Sequence, residues 1–167
     1  MSKQRWLTAD QHFGHRKILE FTARPWRTLD EHDRGLLELW NSRVGKEDEV
    51  WVVGDFSFHG VTETRWLLEN MNGKKHLILG NHDGTMERNG KVGWASVRKV
   101  DEIDGVMLRH DAIGWAGRYG WNVGLPKMFC GHVHESWKTC WGRFVNVGVD
   151  QWGYAPVRWE EARRCFE

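Results

Sequence analysis

Seven side chains in this sequence are suited to holding divalent cations: Asp10, His12, Asp55, Asn81, His110, His132 and His134. All are oxygen or imidazole donors and none is a thiolate, which selects hard-to-borderline metals such as manganese, iron, zinc, nickel or magnesium. Their spacing adds to their type. Asp10-x-His12 and His132-x-His134 each turn two donors to the same side of an extended segment. Three apolar runs end in a glycine followed by such residues: Val50 to Val53 before Gly54-Asp55, Leu77 to Leu79 before Gly80-Asn81-His82-Asp83, and Met128 to Cys130 before Gly131-His132-Val133-His134. A core has no use for Asn-His-Asp at the end of a strand, and α/β sheets bind ligands just beyond the carboxyl ends of their strands. Each group alone is a common turn or a solvated loop. Their joint occurrence points to convergence on one two-metal site, with the glycines letting backbone approach a bound group.

The elements that must position these residues read as alternating strands and helices. A short strand over Arg5 to Ala9 leads into Asp10-Gln11-His12-Phe13-Gly14-His15, and a brief helix through Ile18, Leu19 and Phe21 stops before Pro25. Thr28-Leu29-Asp30-Glu31 is a capping box, since threonine and glutamate three apart can satisfy each other's free amides. The helix it opens carries Leu29, Leu36, Leu37 and Trp40 at roughly helical spacing and is expected to stop at Gly45. Val50 to Val53 is apolar throughout, as in a strand covered on both faces. A helix over Thr62 to Met71 and a strand over Leu77 to Leu79 follow. From Gly84 onward glycines are dense and the strands short: Val97 to Val100, Val106 to Arg109, Met128 to Cys130 and Arg143 to Val147. That half reads as strands joined by loops, closed by one helix over Arg158 to Phe166. The expected architecture is a layered α/β fold in a single domain, residues 1–167.

Composition narrows the function classes. Lys and Arg total 24 against 23 for Asp and Glu, so no overall charge marks a general nucleic-acid or membrane binder. Three scattered cysteines form neither a disulfide framework nor a thiolate zinc site, and no run approaches membrane-spanning length. A soluble, cytoplasmic protein is expected. Twelve tryptophans read first as packing residues and second as platforms for stacked bases.

In sequence order, Asp-x-His, Gly-Asp, Gly-Asn-His-Asp, a lone histidine and Gly-His-x-His resemble the calcineurin-like metallophosphoesterase superfamily, in its small, cap-less bacterial and phage form. The local text carries the likeness: Thr8-Ala9-Asp10-Gln11-His12-Phe13-Gly14-His15, Arg24-Pro25-Trp26, Trp40-Asn41-Ser42, Gly54-Asp55-Phe56-Ser57-Phe58, Gly131-His132-Val133-His134-Glu135 and Asn146-Val147-Gly148-Val149-Asp150. The resemblance implies a two-sheet β-sandwich flanked by helices, the four-layer αββα metallophosphoesterase fold. It implies that Asp10, His12 and His134 complete one metal site, that Asn81, His110 and His132 complete a second, and that Asp55 bridges them. It also places His82 near the substrate, stabilising transition-state charge or protonating the leaving oxygen. His15 either reaches the substrate phosphate or packs at a helix start. Asp83, Asp111, Glu135 and Asp150 are candidates to orient the ligand histidines, while His32, His59 and His76 carry no supporting pattern.

Elementary electrostatics agrees with that implication. One carboxylate has two oxygens, enough to hold two cations roughly 3.5–4 Å apart. Two aspartates and a bridging hydroxide set three negative charges against four positive ones, and the residual charge attracts phosphate. The expected activity is metal-dependent hydrolysis of a phosphate ester by in-line attack of that hydroxide, with manganese first among the metals. A diester is favoured, nucleotides and nucleic-acid diesters included, because little chain remains to cap the cleft. The alternatives are a phosphomonoesterase, a mononuclear zinc hydrolase, and a metal-containing scaffold that binds nucleic acid or protein without turnover. Two departures stand out: no proline follows His110, and no acid-arginine pair follows Asp55, which argues against protein-phosphatase activity.

Overall fold

The structure, a computed structural model, describes residues 3–84, 92–119 and 124–166. Two five-stranded mixed sheets stack face to face. In the first, β1 (Arg5–Thr8), β2 (Glu49–Val53), β3 (Lys74–Ile78) and β4 (Ser96–Arg98) run parallel, and β10 (Val157–Arg158) pairs antiparallel with β1. In the second the order is β5 (Asp101–Ile103), β6 (Val106–Leu108), β7 (Met128–Cys130), β9 (Phe144–Asn146) and β8 (Thr139–Cys140), with β6, β7 and β9 parallel. Helices α1 (Ile18–Phe21), α2 (Leu29–Arg43), α3 (Val61–Asn70), α4 (Ala112–Tyr119) and α5 (Trp159–Arg164), with a 3-10 turn over Val149–Gln151, complete the described elements.

Strand periodicity explains the layers. Along β2, Val50 and Val52 enter an apolar cluster with Leu36 and Trp40 of α2 and Leu67 and Leu68 of α3. Trp51 and Val53 point the other way, into the layer between the sheets, with Leu7, Ile78, Leu108, Phe129, Val145 and Trp159. All four are buried, so both faces of the strand are covered, as its unbroken apolar run demands. A third cluster, on the far face of the second sheet, packs Ala112 and Ala116 of α4 against Met128, Cys130 and Phe144. The molecule is thus a two-sheet α/β sandwich with helices on both outer faces.

Several expected boundaries move. The capping box is present: the Glu31 amide donates to Thr28 Oγ1 at 3.2 Å and the Thr28 amide to Glu31 Oε2 at 3.2 Å. Helix α2 stops where expected, its last residue Arg43 followed by an extended Val44 and then Gly45, whose amide donates to Asp48 Oδ2 at 2.9 Å. Strand β3 starts at Lys74 rather than Leu77, since Glu49 across the ladder lies 3.5 Å from Lys74 Nζ and 3.7 Å from His76 Nε2. The polar start of that strand is paired sideways and needs no apolar signal. Helix α4 is a correction to the reading of the second half as loops and strands. Its Gly114 and Gly117 looked like loop residues, but Ala112 and Ala116 at i, i+4 make a small-residue face that sits flat on the sheet, and Asp111 Oδ1 accepts the Gly114 amide at 2.7 Å as its cap. Strands β5, β8 and β10 have no counterpart among the expected strands.

The tryptophans serve mainly as packing. Trp6, Trp40, Trp51, Trp94, Trp152 and Trp159 are buried, while Trp66 and Trp141 are exposed. Trp121 lies outside the described residues. Among the described residues, no helix is long and apolar enough to cross a membrane.

Candidate metal centre

The loops after β1, β2, β3, β6 and β7 come together at the carboxyl ends of their strands, where parallel sheets present ligands. Hydrogen bonds lock the first two side by side: the Asp10 amide donates to Gly54 O, His12 to Asp55 O and Phe13 to Phe56 O, at 2.9–3.1 Å. Asp83 clamps the third. Its buried carboxylate accepts the amides of Asp55 (2.7 Å), Phe56 (3.0 Å) and Gly80 (2.8 Å). Asp83 therefore orients a loop rather than a histidine, a correction to the role expected of it.

Two groups of donors result, each with its ligand atoms within 4.8 Å of one another: Asp10, His12 and His134, and Asp55, His110 and His132. Asn81 joins the second, its Oδ1 lying 3.1 Å from His110 Nε2 and 3.0 Å from His132 Nδ1. The carboxylate of Asp55 faces both groups. Its Oδ2 stands 3.2 Å from His110 Nε2 and 3.7 Å from His12 Nε2. All seven sequence-selected donors are thus brought together.

The residues fit cations in three respects. His12 is buried, and both its ring nitrogens lack a hydrogen-bond partner. A buried polar atom without a partner is rare, and a cation supplies what the protein withholds. Asp10 and Asp55 are both buried, and a buried carboxylate costs several kcal/mol unless compensated, on the order of magnitude known for buried ions. The backbone is also strained here: Asp10, His12, Asp55, His132 and His134 all have left-handed φ between 46° and 76°. Five of the nine such non-glycine residues described are therefore candidate ligands, and strain of this kind persists where surrounding structure holds it for function.

Protonation follows the same geometry. Burial, then the neighbouring charges of His134, Arg24 and His15, drive His12 down to about 2, against the pull of Asp55. Burial raises Asp10, with the histidine charges opposing. Burial also works to raise Asp55, but the hydrogen bond and charge of His110 and the amide of His82 hold it at about 2. His110 shows the converse: burial lowers it, yet its contacts with Asp55 and Asp10 push it up to about 9. A proton on His110 Nε2 thus occupies the place a cation would take, the usual competition between protons and metals for imidazole.

The remaining ring nitrogens are fixed from behind. His110 Nδ1 donates to Val53 O at 2.7 Å, and His134 Nδ1 to Asp150 Oδ2 at 2.9 Å, turning each Nε2 toward the centre. Of the four acids proposed as orienting partners, only Asp150 serves a histidine. Asp111 caps α4, and Glu135 accepts the Ala23 amide at 2.7 Å because its side chain reaches back across the surface. Asp150 is held in turn by Arg24, Nε to Oδ1 at 2.8 Å and Nη2 to Oδ2 at 3.0 Å, with both side chains fully buried. Arg24 also donates to the carbonyls of Asp10 and Gln11 and to His32 Nε2. That last bond leaves the proton on His32 Nδ1, which donates to Asp33 at 2.7 Å. Arg24 is the residue that sequence reasoning missed as a positioning group, though its Arg-Pro-Trp context was visible. Arg24→Met is expected to destabilise the fold by about 3–5 kcal/mol, the cost of stranding one charge of a buried pair, and to lower metal occupancy at the His134 side. Chemical denaturation with elemental analysis checks both.

The glycines before the ligands act differently from the expectation. They admit neighbouring protein atoms rather than a bound group. A Cβ on Gly80 would collide with the Asp55 carboxylate, and one on Gly54, whose φ is +91°, with the His110 ring. His82 lies at the mouth, about half exposed, its amide on Asp55 Oδ1 at 2.9 Å and its Nε2 4.0 Å from Asp55 Oδ2. His15 stacks on Phe58, ring centroids 4.0 Å apart, and Phe58 also lies 4.9 Å from His82 and 5.4 Å from His12. Phe58, a partly exposed aromatic over the histidines, carried no sequence signal of its own.

No family model matches the chain. Over 82 residues, 47% of the chain, it is 50% identical to the gene 66 protein of Mycobacterium phage D29 and 40% identical to that of Mycobacterium phage L5. An uncharacterized protein of Methanocaldococcus jannaschii is 36% identical over 80 residues. The matched segments span 39% of each phage protein and 46% of the archaeal one, less than half the length of these relatives. Among solved structures, a protein of unknown function from Aquifex aeolicus superposes with a TM-score of 0.73 over 98% of this chain and 99% of its own, at 22% identity, a likeness of fold.

Proposed function

We propose that this chain hydrolyses phosphate esters with two divalent cations, acting on diesters before monoesters. The observation that carries the reading is the Asp55 carboxylate, turned at once toward His12 in one donor group and His110 in the other. The order of the motifs, which resembles the calcineurin-like metallophosphoesterases, and the two-sheet layering suited to that fold add support. When bound, the cations would supply an acidified water and positive charge facing the phosphate, manganese being the first choice for this oxygen and imidazole set.

The chain's own residues do the rest. Asp10, His12 and His134 would hold one ion, Asn81, His110 and His132 the other, with Asp55 shared. Asp150 and the Val53 carbonyl keep protons on the outward nitrogens of His134 and His110, so that their inward nitrogens stay available. His82, tied to Asp55 through its backbone, presents an imidazole at the cleft mouth, where it can donate a hydrogen bond to phosphate oxygen or a proton to the leaving group. His15 and Phe58 form the adjoining wall.

The test is turnover of bis(4-nitrophenyl) phosphate and of 4-nitrophenyl phosphate with added manganese, then after chelation and after metal is restored. Metal-dependent turnover is expected, faster on the diester. Absence of metal-dependent turnover on either would contradict the reading.

A further inference from the structure

Two of the five large apolar side chains exposed among the described residues lie together beside the metal centre: Phe21 is 68% and Phe58 40% exposed. His15 joins them, its ring within 14° of parallel to Phe58 and edge-on to Phe21 at 6.4 Å. Neither phenylalanine belongs to any of the three apolar clusters of the core. Single exposed apolar residues are ordinary on a surface, whereas a cluster of them with polar neighbours marks a place of binding. This cluster reaches the centre itself, since the Phe58 ring lies 4.9 Å from His82 and 5.4 Å from His12. Phe58 is also held in place. Its amide donates to Phe13 O at 2.8 Å, beside the Phe13–Ser57 bridge that joins the loops after β1 and β2. A ring fixed in this way loses little freedom when a ligand arrives.

We infer that Phe58, flanked by His15 and Phe21, is a stacking platform for an aromatic group attached to the substrate's phosphate, a nucleobase being the biological group of that shape. Every base has a flat π-face, so such a platform reads aromatic character rather than base sequence. The inference rests on the phosphoesterase reading and narrows its substrates to esters whose aromatic ring lies within reach of the phosphate. Charge at the metal centre would hold the phosphate, and Phe58 would hold the ring. Selection of the substrate and the metal chemistry therefore fall to different residues and can be measured apart. A small nucleotide diester and a single nucleic-acid strand share this chemistry.

The probes are phenylphosphonate, cyclohexylphosphonate and methylphosphonate, whose carbon–phosphorus bonds an ester hydrolase leaves intact, titrated calorimetrically into the full chain with manganese. Phenylphosphonate is expected to bind about tenfold tighter than methylphosphonate. It is also expected to bind tighter than cyclohexylphosphonate, which has the bulk of a ring without its flat face. Phe58→Leu keeps an apolar side chain and is expected to bring the phenyl-to-cyclohexyl ratio to about one, whereas Phe58→Tyr keeps the preference. Equal binding of the two by the unmodified protein, or a preference that survives Phe58→Leu, would overturn the platform. A second readout needs no variant: with diamagnetic zinc in place of manganese, the ring protons of bound phenylphosphonate should move upfield, and unmoved protons would overturn the stacking. If the ring preference holds while bis(4-nitrophenyl) phosphate is not hydrolysed, the platform stands and the catalytic reading fails. Hydrolysis without a ring preference leaves that reading and removes the platform, and failure of all three phosphonates to bind removes both. Cleavage at internal bonds of a thymidine oligonucleotide would assign the platform to a strand, and cleavage of the 4-nitrophenyl ester of thymidine 5′-phosphate alone would assign it to a nucleotide.

Discussion

Asp55→Asn is expected to leave a folded protein that has lost at least about 10³-fold in turnover and binds one metal ion or fewer per chain. The argument is local. Asp55 Oδ1 accepts the His82 amide, a role an asparagine oxygen can keep, so the β3 loop should stay in place. Oδ2 is the atom that faces His12 and His110. An amide nitrogen there carries two protons and no charge, so it presents donors where a cation needs an oxygen. The substitution thereby removes the carboxylate oxygen that stands 3.2 Å from His110 and 3.7 Å from His12. Elemental analysis measures the metal, circular dichroism the fold, and diester hydrolysis the rate. An Asp55→Asn protein that keeps two ions and near-normal turnover would show that the carboxylate is not shared.

His82→Gln should separate chemistry from metal binding. Its ring is half exposed and 4.0 Å from Asp55, outside both donor groups, so metal content should remain near that of the unmodified protein. Turnover is expected to fall about 10²-fold or more, the usual cost of removing a group that stabilises charge or gives a proton in the transition state. The loss should be smallest for substrates with good leaving groups, if proton donation is the larger part. Loss of metal together with activity would instead make His82 a structural support of the site.

The candidate donors were legible because they sit where short apolar strands end, and sequence marks such ends well: Val50 to Val53 before Gly54-Asp55 is the clearest case. The alternation of strands and helices announced a layered α/β fold, whereas the two stacked sheets were implied only by the family resemblance. Helix α4 was not legible. Its glycines favour loops by propensity, and only the packing of Ala112 and Ala116 on Met128 and Phe144 makes a helix of them. The Arg24–Asp150 pair spans 126 positions of sequence, so no local pattern could announce it. The glycines were noticed for the wrong reason, since their lack of a side chain makes room for Asp55 and His110 rather than for a ligand. Asp83 was a similar case: beside a ligand it looked like a histidine's partner, yet three backbone amides claim its oxygens.

The most direct test of the shared-carboxylate centre is an anomalous difference map from crystals of the protein grown with manganese. Two peaks roughly 3.5–4 Å apart are expected, one among Asp10, His12 and His134 and one among Asn81, His110 and His132, with Asp55 in contact with both. A single peak, or none within reach of Asp55, would contradict the account.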